Sequence, residues 1–149
     1  AMVKEDVAYA TCKEEVENIL ADFRNRDIPV AVINEHLQGD LVKFYGVHGT
    51  DFFYWFYPSP CSHSKFGLEK INGIAKGIPF SVEELKIQSD KAAEALNVPI
   101  YGGDCVVSAD GTLRIIDFND WPSFARCREE AGGKIAECIY NRAKKQMKQ

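Results

Sequence analysis

An α+β fold, with antiparallel β-hairpins backed by helices, is the class this sequence predicts. Three observations carry it. Two stretches open with a hydroxyl residue followed three positions later by glutamate, the mark of a helix start. Short runs of β-branched and aromatic residues are joined by His48-Gly49-Thr50-Asp51 and by Asp110-Gly111, both hairpin signals. The last stretch carries an apolar stripe and ends in Lys144, Lys145 and Lys148, where a helix dipole favours cations.

The elements follow in chain order. Thr11-Cys12-Lys13-Glu14 forms the first capping box, and Val16, Ile19, Leu20 and Phe23 recur behind it at helical spacing. A helix is expected from about Cys12 to Asn25, ended by Asp27-Ile28-Pro29. Strands are expected at Val30–Asn34, Leu41–Val47 and Phe52–Tyr57, the latter two forming a hairpin. Six successive aromatics cannot alternate between core and water, so that strand is expected to be covered on both faces, or by a partner chain. Pro58 to Pro79 reads as a long connection. Ser81-Val82-Glu83-Glu84 opens a second helix running to about Leu96. Ile100–Ser108 and Leu113–Asp117 form the second hairpin. Pro122 stops the strand and favours a helix start. The last helix should present Ile135, Cys138, Ile139 and Met147 on one face, with a kink or close packing at Gly132-Gly133.

Composition limits what the protein does. The chain has 149 residues, 46% of them hydrophobic and 27% charged, which suits one domain with a buried core and excludes intrinsic disorder. Eighteen basic and 22 acidic side chains leave a net charge of -4, against the basic balance of a nucleic-acid binder. No apolar run approaches the roughly 20 residues that span a bilayer, and no signal peptide opens the chain. Five cysteines, an odd number without tight spacing, argue against a disulfide scaffold and fit a reducing cytoplasm. Cys61 and His63 form a close pair, but with no second pair they do not make a zinc site.

Chemistry concentrates in the second hairpin. Asp117 and Asn119 are two apart and share one face of a strand, and Asp104 becomes a lateral neighbour of Asp117 across the hairpin. Two carboxylates and an amide oxygen are hard donors of the kind that hold magnesium together with substrate phosphates. Turn and cap residues at a strand end give the same pattern. Asn34-Glu35-His36-Leu37-Gln38-Gly39-Asp40, between two expected strands, offers backbone groups to an adenine edge and a carboxylate to a ribose. A polar loop with a glycine turn gives the same string. Lys43 interrupts an apolar strand and points either into solvent or at an anion. His36, His48 and His63 are scattered without a nucleophile, and no Gly-x-Ser-x-Gly elbow, Walker-type loop or dinucleotide fingerprint is present.

Taken in order, these stretches resemble the ATP-grasp superfamily. Val32 to Asp40 looks like its adenine hinge. Leu41-Val42-Lys43-Phe44-Tyr45-Gly46-Val47 is similar to the strand after the hinge, with the Lys-aromatic-Tyr pattern of the branch that includes inositol-phosphate kinases. Asp104, followed by Ile115-Ile116-Asp117-Phe118-Asn119-Asp120-Trp121-Pro122, looks like the closing metal motif. The resemblance implies a partial ATP-grasp fold with ATP and Mg²⁺ as cofactors. Glu35, His36 and Leu37 would line adenine and Asp40 the ribose. Lys43 would face phosphate or substrate, and Asp104, Asp117 and Asn119 would hold the metal. Such enzymes phosphorylate a carboxylate or hydroxyl of a small-molecule acceptor, as ligases or kinases do.

The family's upstream lobe carries a phosphate-contacting lysine and a Gly-rich flap. Here the first glycine is Gly39, and Lys4 stands too near the start to replace that lobe. With Ala1 before Met2 as a cloning remnant, the chain reads as the carboxy-terminal lobe of a longer protein, with little turnover of its own. An apolar face left by the missing lobe would favour a homodimer, with the aromatic run as its surface. A non-catalytic binding or assembly module on the same fold, and an unrelated α+β interaction domain, are the competing classes.

Overall fold

Two hairpins and one long crossover give a sheet whose spatial order differs from its chain order. The computed structural model describes residues 6–58 and 73–148. Helix α1 spans Lys13–Asn25. Strands β1 (Asp40–Val47) and β2 (Phe53–Phe56) form the first hairpin. Helix α2 (Val82–Leu96) crosses over to β3 (Ile100–Val107) and β4 (Leu113–Asp120), and α3 (Arg128–Gln146) closes the chain. The sheet order is β2-β1-β3-β4, and every neighbouring pair is antiparallel. The expected α+β class with antiparallel hairpins backed by helices is what the chain forms. No helix among the described residues is long and apolar enough to cross a membrane.

Side-chain alternation along the strands divides the core in two. On one face Val42, Phe44, Tyr101, Cys105 and Val107 pack with Leu85 and Ala93 of α2. The Tyr101 hydroxyl donates to Asp90 Oδ1 at 2.8 Å and so ties β3 to α2. Burial and the Asp90 charge push that phenol far above its ordinary value, which keeps it a donor. On the other face Val47, Phe52 and Ile100 pack with Phe124, Cys127, Ala131 and Cys138. The aromatic run serves both cores, since Phe53, Trp55 and Tyr57 lean on the first and Tyr54 joins Phe52 in the second. Each residue of β2 is half-buried, with packing on both faces of the strand.

The second capping box forms as written, with Ser81 Oγ accepting from the Glu84 N–H at 3.1 Å. The first is displaced by one residue. Cys12 is the N-cap without a side-chain bond, and Glu15, not Glu14, reaches back to accept from the Thr11 N–H at 2.6 Å and the Thr11 hydroxyl at 2.9 Å. Helix α1 has no buried residue. Its apolar face shares a cavity of about 600 Å³ with Tyr9, Ile28, Val30 and Ile33.

Several sequence expectations are corrected. Val30–Asn34 is not a strand. Among the described residues no strand pairs with it, and Val30 and Val32 are 77% and 81% exposed. Composition supplies β-propensity, but a ladder needs a partner. Strand β4 runs three residues past Asp117, because the Trp121 N–H still reaches the Ile100 carbonyl at 2.9 Å. Pro122 does stop the strand, yet the helix waits until Arg128, after a turn in which the Cys127 N–H donates to the Phe124 carbonyl. Ile139 and Met147 are exposed, and only Ala131 and Cys138 of α3 are buried. The long connection from Pro58, with Cys61 and His63, and Lys4 lie largely or wholly outside the described residues. Its described end, residues 73–79, forms no helix or strand.

Gly132 and Gly133 do not interrupt α3. The helix runs through them, and a Cβ at either would meet nothing within 4 Å. Alanine at each position should therefore stabilise the protein by about 0.5–1 kcal/mol, by restricting the unfolded chain and favouring the helix. Thermal melts of Gly132→Ala and Gly133→Ala check this. A lowered melting temperature would show a close neighbour at these positions.

Candidate functional site

The face of the sheet that α3 leaves open carries the polar row. Cross-strand register places Phe56, Lys43, Asp104 and Asp117 side by side over β2, β1, β3 and β4. One step along, Tyr54, Tyr45, Gly102 and Asn119 form the next row. A β-bulge sets this alignment. Cys105 faces Ile115, but Asp104 faces Asp117, so Ile116 is the extra residue that turns Asp117 into register with Asp104. Gly103 keeps the two strands tight, since a Cβ there would lie 2.2 Å from the Asp117 carbonyl oxygen.

The row is an electrostatic unit. Lys43 Nζ lies 2.9 Å from both Asp104 oxygens, and the two side chains are only 28% and 21% exposed. Lys43 therefore does not simply point into solvent. Asn119 Nδ2 donates to Asp117 Oδ2 at 2.5 Å, which leaves the amide oxygen as an acceptor. Asp117 and Asn119 are both exposed. The three predicted donors share one face of the sheet, with Asp104 opposite Asp117 and Asn119 one step along β4. They supply two carboxylates and one amide oxygen, a hard donor set that suits magnesium when a ligand and water complete the shell. No group of three His, Cys, Asp or Glu that would hold a metal without such help occurs among the described residues. The Lys43 ammonium already neutralises Asp104, so a cation there must compete with it.

The predicted hinge lies elsewhere. Glu35 is exposed, while His36 and Leu37 are half-buried on the segment before β1, where the His36 ring meets Tyr9 edge-on at 4.9 Å. Asp40 begins β1, three residues and about 10 Å along the strand from Lys43. It is 3% exposed, and its two carboxylate oxygens accept from the Lys76 and Ile78 N–H groups at 2.8 Å each. Burial raises its pKa, but the N–H groups of Lys76, Ile78 and Gly77 outweigh this and hold the carboxyl below its ordinary value. The structure gives Asp40 a bracing role that the sequence did not suggest.

Sequence reasoning also missed the surroundings of Tyr45. Its ring packs on Phe124 at 5.3 Å and Phe56 at 5.8 Å, and the Arg126 guanidinium lies 4.2 Å above the Phe56 ring. Burial, then the Cys127 thiol, push the Tyr45 phenol up, while Lys43, Arg126 and a hydrogen bond with Ser123 pull against them. The Lys-aromatic-Tyr pattern singled out Tyr45, but nothing in the sequence marked Arg126. Compared with known proteins, the chain matches no family model, no curated protein and no solved structure, so the ATP-grasp likeness stands on these residues alone.

Proposed function

We propose that this chain binds a magnesium-nucleotide on the open half of its sheet, as the carboxy-terminal part of an ATP-grasp-like ligase or kinase acting on a carboxylate or hydroxyl. The observation that supports it is the bulge-aligned row of Lys43, Asp104 and Asp117, with Asn119 beside it. Asp104, Asp117 and Asn119 would hold Mg²⁺, which draws charge from phosphate oxygens. Lys43 holds a positive charge at the edge of the carboxylates and orients a phosphate beside them. Glu35, His36 and Leu37 precede Asp40, which itself stands about 10 Å along β1 from Lys43, so adenine would lie beyond that end of the strand and the phosphates at the row. The carboxylate of Asp40 is committed to backbone N–H groups, so the ribose role is not carried forward.

The Lys43–Asp104 ion pair favours a second reading, a nucleotide-binding module without turnover. Both readings require binding. A thermal shift with a non-hydrolysable ATP analogue should show a rise that depends on Mg²⁺, by about 2.7 kcal/mol at one hundred times the dissociation constant. Asp117→Ala should abolish that rise and leave the unliganded melt near wild type, since Asp117 is exposed. An undiminished shift in this variant would overturn the assignment.

A further inference from the structure

Arg126 sits on the loop between β4 and α3. Phe124 anchors that loop, buried against Tyr45 and Phe52. Two residues on, the Arg126 guanidinium carbon stands over the Phe56 ring, 4.2 Å from its centroid. Phe56 is the direct cross-strand neighbour of Lys43. Two cations thus flank one end of the polar row, and the two carboxylates occupy the other. The Lys43 ammonium is engaged by Asp104, whereas no acceptor among the described residues takes the N–H donors of Arg126. An arginine fixed by an aromatic face, with its fork open, is prepared for bidentate contact with an oxyanion. Tyr45 is within the electrostatic reach of both cations.

We infer that Arg126, with Lys43 beside it, forms an oxyanion subsite that takes a phosphoryl or carboxylate group of a small ligand. The subsite rests on the nucleotide reading of the same face. It is separable from it, because Arg126 is not a metal donor. It places the anionic part of the ligand toward β2, beyond the metal donors.

The test is titration calorimetry in magnesium-free buffer with pyrophosphate and, separately, succinate. Wild type should bind one probe or both, and the tighter one tells which oxyanion the subsite takes. Arg126→Gln should weaken that binding by about tenfold or more, and Arg126→Lys should recover only part, since an ammonium lacks the fork. Asp117→Ala should bind the probe at least as well as wild type, because a nearby negative charge is gone. If wild type binds neither probe at millimolar concentration, or if Arg126→Gln binds as tightly as wild type, the inference is overturned. Retained magnesium-nucleotide binding in Asp117→Ala would sink the metal assignment alone and leave the Arg126 result standing.

Discussion

Asp40→Ala should lower stability by about 3 kcal/mol or more, the larger of the two strongest effects expected here. The carboxylate is buried and accepts two backbone N–H bonds, and bonds of that kind to a charged group contribute about 1.5–3 kcal/mol each. Removing it leaves the Lys76 and Ile78 N–H groups without that acceptor. It also frees the segment before α2 from the start of β1. The same bonds set a pH dependence. The folded carboxyl titrates below its ordinary value of about 4, so the unfolded chain binds the proton first. The stabilisation is complete above pH 4 and is lost as pH falls through the folded pKa. Chemical denaturation between pH 3 and pH 7 should show a steeper acid loss in wild type than in Asp40→Asn. Equal slopes would mean the two bonds do not form.

Lys43→Met should make the protein depend on magnesium for its stability. At an effective dielectric constant of about 20, opposite charges some 4 Å apart attract by about 4 kcal/mol. Methionine keeps the stem and removes the ammonium. Asp104 then remains mostly buried beside Asp117 with no counter-charge. Part of the attraction is repaid by solvation, so a loss of about 1–3 kcal/mol is expected in the presence of a chelator. Magnesium should restore it, because the competing cation is gone. Melts with chelator and with Mg²⁺ read this directly. A variant equally stable in both would contradict a metal site on the row.

How much of this was legible depends on the range of the interaction. The hairpin at Asp110-Gly111 is local chemistry, and the Gly111 N–H donates to Ser108 as its turn requires. Period-two alternation then suffices to place Asp117 and Asn119 on one face, and the hairpin brings β3 alongside. The bulge at Ile116 was not legible, although it decides that Asp104 meets Asp117 and not Ile116. The role of Asp40 was hidden because its partners are backbone groups 36 and 38 residues away, which leave no side-chain signature. Val30–Asn34 misled because β-branched composition says nothing about whether an edge waits to receive it. Arg126 was invisible because its place depends on Phe124 entering the core.

The central claim is that Asp104, Asp117 and Asn119 hold a divalent cation, and paramagnetic broadening by Mn²⁺ tests it most directly. Manganese takes the same oxygen donors as magnesium. In a ¹⁵N-labelled sample at substoichiometric Mn²⁺, the amides of Lys43, Gly103, Asp104 and residues 117–119 should broaden first, and excess Mg²⁺ should restore them. Early broadening confined to the acidic first turn of α1 at Glu14 and Glu15, or uniform loss with no focus on the sheet, would contradict the account.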